Sequence, residues 1–138
     1  MTMMKLSDRE ARVCRAIEAR REFLLEDLRR HVEIPTGMSN PSAVEEERNI
    51  FTTRLAKLGA SVSLVPGQPK ADWLTQGEPV HAIPSTAVCH RLHQPGTRAR
   101  VLLAGHLDTV HDPEGDFQKL TVAPDGKTAV GPGCVDMK

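Results

Sequence analysis

The strongest constraint on the fold of this chain is a run of four consecutive apolar residues, Val101 to Ala104, ahead of a glycine and a histidine. A strand that is apolar at every position, rather than at alternate positions, is typical of a sheet buried on both faces. We therefore predict a strand over residues 100–104 inside a helix-covered mixed sheet. Because such sheets bind ligands at the carboxyl ends of their strands, chemistry is expected in the residues that follow.

An amphipathic helix is predicted over residues 8–31. Ser7 and Glu10 have the spacing of a capping box, and apolar residues recur behind them at steps of four and seven along a charged segment. We interpret the charged side chains as a solvated face, because charges usually remain in water.

A second helix is predicted over residues 42–58, where apolar residues again form one stripe. Ser42 and Glu45 repeat the capping-box spacing at its start. Gly59 stands where a left-handed C-terminal cap is expected. A strand-like segment follows this helix at once, which indicates α/β construction.

Further strands are predicted around turns and loops. Residues 61–65 alternate polar and apolar side chains, which is typical of a strand covered on one face. Residues 86–92 are predicted as another strand. The intervening residues 66–85, rich in turn-forming proline and glycine, are predicted as an exposed loop with a short element near Trp73. The Asp-Gly pair at 125–126 predicts a hairpin turn.

Length and charge limit the classes of protein to consider. The 138 residues allow one domain or part of one, and 39% apolar with 26% charged residues is the composition of a folded globular chain. Eighteen basic residues balance eighteen acidic ones, which disfavours nucleic acid and anionic membrane surfaces as partners. No apolar run approaches the roughly 20 residues of a membrane span, and no signal-peptide core is present, so we predict a cytoplasmic location.

The three cysteines, Cys14, Cys89 and Cys134, are widely spaced and form no CxxC pair. This spacing fits neither a disulfide framework nor a zinc knuckle, so reduced thiols are predicted. A redox domain is disfavoured for the same reason. A nucleotide-binding α/β domain is disfavoured because no GxGxxG segment follows a predicted strand.

A histidine and an aspartate follow the predicted buried strand. Along an extended backbone, His106 and Asp108 point to the same side, so an imidazole and a carboxylate would share one pocket mouth. Neutral imidazole is a good zinc ligand, and a neighbouring carboxylate can fix its tautomer and orientation. Such a pair also occurs as ordinary polar groups without a metal, so the pair alone does not establish a metal site. His111 and Asp112 are interpreted as loop residues beside this pocket.

A second aspartate follows a glycine-rich turn near the end of the sequence. Asp136 comes three residues after the segment Gly131-Pro132-Gly133. Glycines leave room for backbone and ligand to approach closely, so Asp136 can reach a cavity wall that a bulkier loop would block. We interpret Cys134 as a small side chain buried in the turn rather than as a ligand.

The segments VLLAGHLDTV and GPGCVDMK together resemble the signature motifs of the M20 family of metallopeptidases and amidohydrolases. That family includes carboxypeptidases that release C-terminal glutamate, aminoacylases and deacetylases. Both motifs occur in the family's order, and the resemblance extends to the first helix, the Ile34-Pro35-Thr36 turn and the Gly59 end of the second helix. It implies an α/β zinc-dependent exopeptidase-like catalytic domain.

The resemblance also implies roles for three residues. His106 would ligate one zinc ion, Asp136 would bridge two, and Asp108 would support His106 as a catalytic-site carboxylate. Two divalent ions about 3.5–4 Å apart can share a hydroxide and polarise a scissile carbonyl, with Co²⁺ or Mn²⁺ as alternatives to Zn²⁺. The implied reaction is hydrolysis of an amide or peptide bond in a small peptide or an N-acyl amino acid.

The resemblance covers only the N-terminal part of such a domain, here residues 1–138. Beyond Lys138 would lie the general base, the other metal ligands, the C-terminal half and a dimerisation domain. The dimerisation domain would allow the complete enzyme to form a homodimer. We expect this chain to be inactive alone, because zinc sites normally have three or four protein ligands and turnover needs a base. Exposed strand edges should favour self-association. The alternative is a non-catalytic remnant that binds a metal ion or a partner.

Overall fold

The computed structural model describes residues 6–37, 39–69, 71, 73, 82–91, 96 and 100–136. Within those ranges the chain is a small mixed α/β structure with three helices and two two-stranded antiparallel sheets. In chain order the elements are α1 Asp8–Glu18, α2 Arg21–Val32, α3 Pro41–Lys57, β1 Ser61–Val65, β2 Thr86–His90, β3 Thr121–Val122 and β4 Ala129–Val130. None of the helices in these ranges is long and apolar enough to cross a membrane.

The helix predicted over residues 8–31 is divided in two. Its start is confirmed: the Ser7 backbone N–H donates to the Glu10 carboxylate over 2.7 Å, and the Glu10 N–H donates back to the Ser7 hydroxyl over 3.3 Å. The prediction of one continuous helix is wrong, because Arg20 leaves helical geometry at φ −108° and ψ 10°. No residue of α1 is buried, so tertiary contacts do not stabilise one continuous axis.

Helix α3 begins at a different cap from the one predicted. The Asn40 side chain accepts a hydrogen bond from the backbone N–H three residues on, and Pro41 occupies the first turn, which its fixed φ suits. The predicted capping box of Ser42 and Glu45 is therefore wrong, and the Ser42 hydroxyl instead donates to the Asn40 side chain. The C-terminal prediction is confirmed, since Gly59 has a φ of +85°.

Strands β1 and β2 pair antiparallel beside α3. Both strands confirm the sequence prediction, although β2 ends at His90, before the predicted bound at residue 92, which lies outside the described residues. In their register Val62 faces Cys89 and Leu64 faces Ala87, so these four side chains share one face of the sheet. The prediction that one face of β1 is covered is wrong, because all of its residues are exposed.

The strand predicted at residues 100–104 is not formed. Residues 101–108 have no regular secondary structure, and Val101, Leu102 and Leu103 are 81, 89 and 90% exposed. Apolar residues alone do not make a strand, because a strand also requires a neighbour to which its backbone can hydrogen-bond. Neither two-stranded sheet provides that neighbour, so the described residues do not form the predicted helix-covered mixed sheet.

Strands β3 and β4 form the hairpin predicted at residues 125–126. The Ala123 N–H donates to the Thr128 carbonyl over 2.9 Å, and Gly126 adopts a φ of +66° in the turn. This prediction is confirmed. Much of the predicted loop at 66–85, including most of the surroundings of Trp73, lies outside the described residues.

The core is small and lies where α2 and α3 meet the C-terminal segments. Among the described residues, the buried apolar side chains are Val32, Ala43 and Leu120. Polar groups join the elements around them: buried His31 Nδ1 of α2 lies 2.7 Å from buried Glu47 Oε1 of α3, and the partly buried Arg29 guanidinium donates to the Leu120 carbonyl over 3.0 Å. We call residues 31–37 and 39–43, between α2 and α3, the helix corner.

Candidate metal site

Three side chains that the sequence predicts as a site meet at one place on the surface. His106 and Asp136, which are 30 residues apart, bring Nε2 and Oδ1 to 3.0 Å. On the other side of the ring, His106 Nδ1 lies 3.0 Å from the Asp108 carbonyl oxygen and 3.4 Å from the Asp108 carboxylate. The imidazole is therefore held between the two aspartates.

Both ring nitrogens of His106 face oxygen atoms that accept hydrogen bonds, Nδ1 the Asp108 carbonyl and Nε2 the Asp136 carboxylate. If a metal ion replaced the proton on Nε2, the Asp108 carbonyl would hold the remaining proton on Nδ1. Metal-binding histidines are commonly oriented in this way, with one nitrogen bonded to a carbonyl or carboxylate and the other directed at the ion.

The two aspartates also favour the protonated ring. The hydrogen bond to the Asp136 carboxylate raises the pKa of His106 above its usual value. Desolvation opposes this effect, while the carbonyl and the charge of Asp108 reinforce it. In the protonated state Nε2 donates to Asp136, so a metal ion that binds there must displace this proton.

The site lies open to solvent. The side chains of His106, Asp108 and Asp136 are 50, 52 and 80% exposed. Two surface grooves lie elsewhere, one along α3 and one between α2 and the β3–β4 hairpin, and neither includes these residues. These three side chains therefore lie on an open surface, where bulk water weakens the charged contacts.

A buried backbone contact that sequence reasoning missed positions His106. We call residues 106–113 the first limb of the site. Its Thr109 N–H donates to the Thr36 carbonyl over 2.9 Å, and Thr109 also forms a parallel β-bridge with Gly37. Both threonines are buried. Sequence reasoning interprets Ile34-Pro35-Thr36 only as a turn, but the glycine that follows, between two helices, is also a signal for close backbone packing.

A glycine-rich turn positions the second aspartate, as predicted. We call residues 131–136 the second limb. Its Cys134 N–H donates to the Gly131 carbonyl over 3.2 Å, and Gly133 has a φ of +74°. Gly131 is packed so closely that a Cβ there would lie 3.0 Å from Val32 Cγ1 at the end of α2. The missing side chain lets this turn rest on the helix corner.

The residues after Thr109 stabilise the first limb itself. The rings of His111 and Phe117 meet edge-on with centroids 5.0 Å apart. Asp112 Oδ1 accepts the Glu114 N–H over 3.0 Å, and the Asp112 carbonyl accepts a side-chain N–H of Gln118 over 2.8 Å. These contacts agree with the interpretation of His111 and Asp112 as loop residues.

The candidate metal ligands are His106 and Asp136. Within the described ranges, no cluster of three His, Cys, Asp or Glu side chains could hold a metal ion. The pair itself fits an ion, because a tetrahedral zinc with bonds of roughly 2.0–2.1 Å separates its ligand atoms by about 3.3 Å, against the 3.0 Å between Nε2 and Oδ1 here. Two protein ligands nevertheless predict weak binding.

Comparison with protein-family models, with curated proteins and with solved structures finds no match for this chain. The functional assignment therefore depends on the two motifs and on the geometry of His106, Asp108 and Asp136.

Proposed function

We propose that this chain carries the first metal-binding motifs of an amide- or peptide-bond hydrolase of the M20 peptidase type. His106 and Asp136 are its metal ligands, and Asp108 orients His106. The observation that carries the proposal is the 3.0 Å approach of His106 Nε2 to Asp136 Oδ1 while Asp108 holds Nδ1. Residues from both motifs are thus adjacent, as a shared metal site requires.

Each residue has a defined task in this proposal. His106 offers the Nε2 lone pair, because the Asp108 carbonyl keeps a proton on Nδ1. Asp136 offers a carboxylate, of which one oxygen faces His106 and the other would face a second ion. A divalent ion bound there would polarise the scissile carbonyl and lower the pKa of water. Zn²⁺ is the proposed metal, with Co²⁺ or Mn²⁺ as alternatives.

The proposed substrate is a small peptide or an N-acyl amino acid. The motif order and the α3-to-β1 succession support a zinc-dependent exopeptidase-like α/β domain, with a glutamate-carboxypeptidase-like member as the first choice. The open surroundings of His106 and Asp136 provide few contacts that could select one substrate over another. In this proposal, the enzyme is cytoplasmic in its complete form. Its substrate specificity, its general base and its dimerisation domain come from parts that residues 1–138 do not include.

We expect no turnover above background from residues 1–138 alone. The described carboxylates that contact His106 belong to Asp108 and Asp136, and both have tasks in holding the ring or the metal. Without a further carboxylate to act as general base, proton transfer from water is not assisted. A panel of dipeptides and N-acyl amino acids, incubated with the zinc-loaded chain, tests this expectation. Hydrolysis abolished by chelation and by His106→Ala would contradict it.

Metal titration tests the proposed site directly. Calorimetric titration of the metal-free protein with zinc chloride should show weak binding that is lost in His106→Ala and in Asp136→Asn, because each variant weakens or removes one of two ligands. Asp108→Asn should lower the affinity by no more than about 10-fold, the lower end of typical effects from groups that orient a ligand. His90→Ala, which removes an exposed histidine from β2, is the matched control. Equal binding by wild type and His106→Ala would rule out the site.

A binding module without turnover is the second candidate. The ligand count favours it, since the described residues supply His106 and Asp136 but no cluster of three ligands. Both candidates predict weak metal binding without turnover from residues 1–138 alone, so the coding DNA past codon 138 is the measurement that separates them. A reading frame that runs on to an acidic pair supports the enzyme, whereas a stop codon after Lys138 supports the module.

A further inference from the structure

Both limbs of the candidate site rest on the same support. The first limb is joined to the helix corner by the hydrogen bond from the Thr109 N–H to the Thr36 carbonyl, 2.9 Å long. The second limb touches the helix corner where Gly131 meets Val32. Because the two limbs share one support, the way each seats on the helix corner sets the separation of the two metal ligands.

Gly37 lies at the closest point between the helix corner and the first limb. A Cβ at this position would overlap the His111 carbonyl oxygen and would lie 2.7 Å from Pro113 Cδ. These neighbours are backbone and ring atoms, which cannot rotate away as a flexible side chain can. Gly37 is not among the glycines with positive φ, so close packing and not backbone conformation requires glycine there.

The helix corner is held firmly from both helices. His31 of α2 and Glu47 of α3 are both buried and lie 2.7 Å apart. Further from the corner, about one turn along α2 and two turns along α3, the Arg54 guanidinium donates to both oxygens of Asp27, each over 2.7 Å. In contrast, the metal-facing side chains of the first limb are half exposed. Volume added at Gly37 is therefore expected to displace the first limb and not the helix corner.

We infer that Gly37 is a positioning residue of the candidate metal site. By leaving space for the backbone at His111 and Pro113, it seats the first limb so that His106 faces Asp136. Its importance for metal binding rests on the proposed function, but its effect on the orientation of His106 does not.

The test compares Gly37→Ala with Gly67→Ala in the full chain. Gly67 is a matched control, because a Cβ there would overlap Ile83 Cγ2 and lie 2.7 Å from the Ile83 carbonyl oxygen, remote in sequence from both limbs. Three quantities are measured: the thermal midpoint without metal, the Zn²⁺ affinity by calorimetry, and the ¹⁵N signals of the His106 ring in metal-free protein at one fixed pH.

Gly37→Ala is expected to lower the Zn²⁺ affinity about 10-fold, as loss of a ligand-orienting contact does, and to move the His106 ring signals. Gly67→Ala should change neither the Zn²⁺ affinity nor the His106 ring signals, even if it lowers the thermal midpoint as much as Gly37→Ala does. Unchanged affinity and signals in Gly37→Ala, or equal changes in Gly67→Ala, would overturn the inference. If wild type binds no Zn²⁺ while Gly37→Ala still moves the His106 signals, the metal function fails and the positioning role stands.

A second variant covers the case in which Gly37→Ala does not fold. Pro113→Ala loosens the same contact from the opposite side and introduces no overlap. It is expected to move the His106 ring signals in the metal-free chain. Signals identical to those of wild type would then overturn the inference.

Discussion

Both ring nitrogens of His106 face oxygen atoms, Asp108 on one side and Asp136 on the other. At the scale of single residues this arrangement links two properties, because the oxygen atoms that would orient the ring for a metal ion also stabilise its protonated form. The Asp136 hydrogen bond is the largest cause of the raised pKa of His106. A metal ion bound at the candidate site would thus compete with a proton for the same nitrogen atom.

Zn²⁺ affinity is expected to fall as the pH is lowered. Above the pKa of His106 the ring is neutral and Nε2 can bind the ion, whereas below it the proton must first be displaced. Because this pKa is raised, the loss should begin at a higher pH than for an ordinary histidine of pKa about 6.5. Calorimetric titrations across roughly pH 5–8 measure the effect. An affinity that does not change over this range would contradict it.

Gly59→Ala should lower the free energy of unfolding by about 1 kcal/mol, the usual penalty for a side chain in left-handed backbone geometry. Gly59 has a φ of +85°, and an added Cβ would meet no atom within 4 Å, so conformation is the whole cost. Gly59→Asn should be less destabilising, because Asn tolerates this geometry. Urea unfolding of both variants tests the order, and a more stable Ala variant would contradict it.

At the scale of elements, α2 and α3 are joined by polar side-chain pairs. His31 and Glu47 are buried between the helices, and the ring of His31 stacks on Phe51 with centroids 5.0 Å apart. Asp27 and Arg54 form a bidentate pair at the partly exposed edge. Helix α1, by contrast, buries no residue. Side-chain contacts between α2 and α3 therefore hold the helix corner on which the candidate site is built.

Asp27→Asn should lower the free energy of unfolding by about 1 kcal/mol at neutral pH, since a bidentate pair exceeds a typical surface ion pair. The hydrogen bonds from Arg54 lower the pKa of Asp27 in the folded chain. Stability from this group is therefore present above the unfolded pKa, about 3.9, and is lost as the pH falls through the lower folded value. The difference between variant and wild type should shrink in acid.

Chemical unfolding at several pH values measures this difference. Glu26→Gln is the control, because the Glu26 oxygens lie 3.6 Å from Arg29 and Arg30 in exposed pairs. It should change stability little at any pH. A difference between wild type and Asp27→Asn that stays constant into acid would contradict the assignment.

At the scale of the whole molecule, the described chain exposes a consecutive apolar segment. Val101, Leu102 and Leu103 are almost fully exposed on backbone without a strand partner among the described residues. Such segments pair readily with other extended chains. Leu102→Lys is therefore expected to reduce concentration-dependent self-association, as measured by sedimentation velocity.

Val110→Lys is the control for this prediction, because Val110 is 88% exposed but has polar neighbours on both sides in the sequence. It should leave self-association nearly unchanged. A wild-type chain that stays monomeric at every concentration, or an equal effect of both lysine variants, would contradict a role for the apolar segment.

Local features of the fold were predictable where neighbouring residues suffice to form them. The Ser7–Glu10 capping box, the left-handed Gly59 and the hairpin at 125–126 each depend on contacts within a few residues. The Asn40 cap was also local, but the sequence contains two competing caps and Pro41 favours the earlier one. The predicted strand at 100–104 is not formed, because a strand needs a hydrogen-bonding neighbour and neither sheet of the described residues provides one.

The sequence by itself determined the chemical groups of the candidate site and the turn that precedes Asp136. His106 and Asp108 are two residues apart in the sequence and so lie close together, although the closest contact of the His106 ring with Asp108 is to the Asp108 carbonyl. Only the tertiary structure decided that His106 meets Asp136 across 30 residues and that Gly37 supports the first limb. Such contacts depend on the path of the chain between their partners, and that path is set by packing on the helix corner.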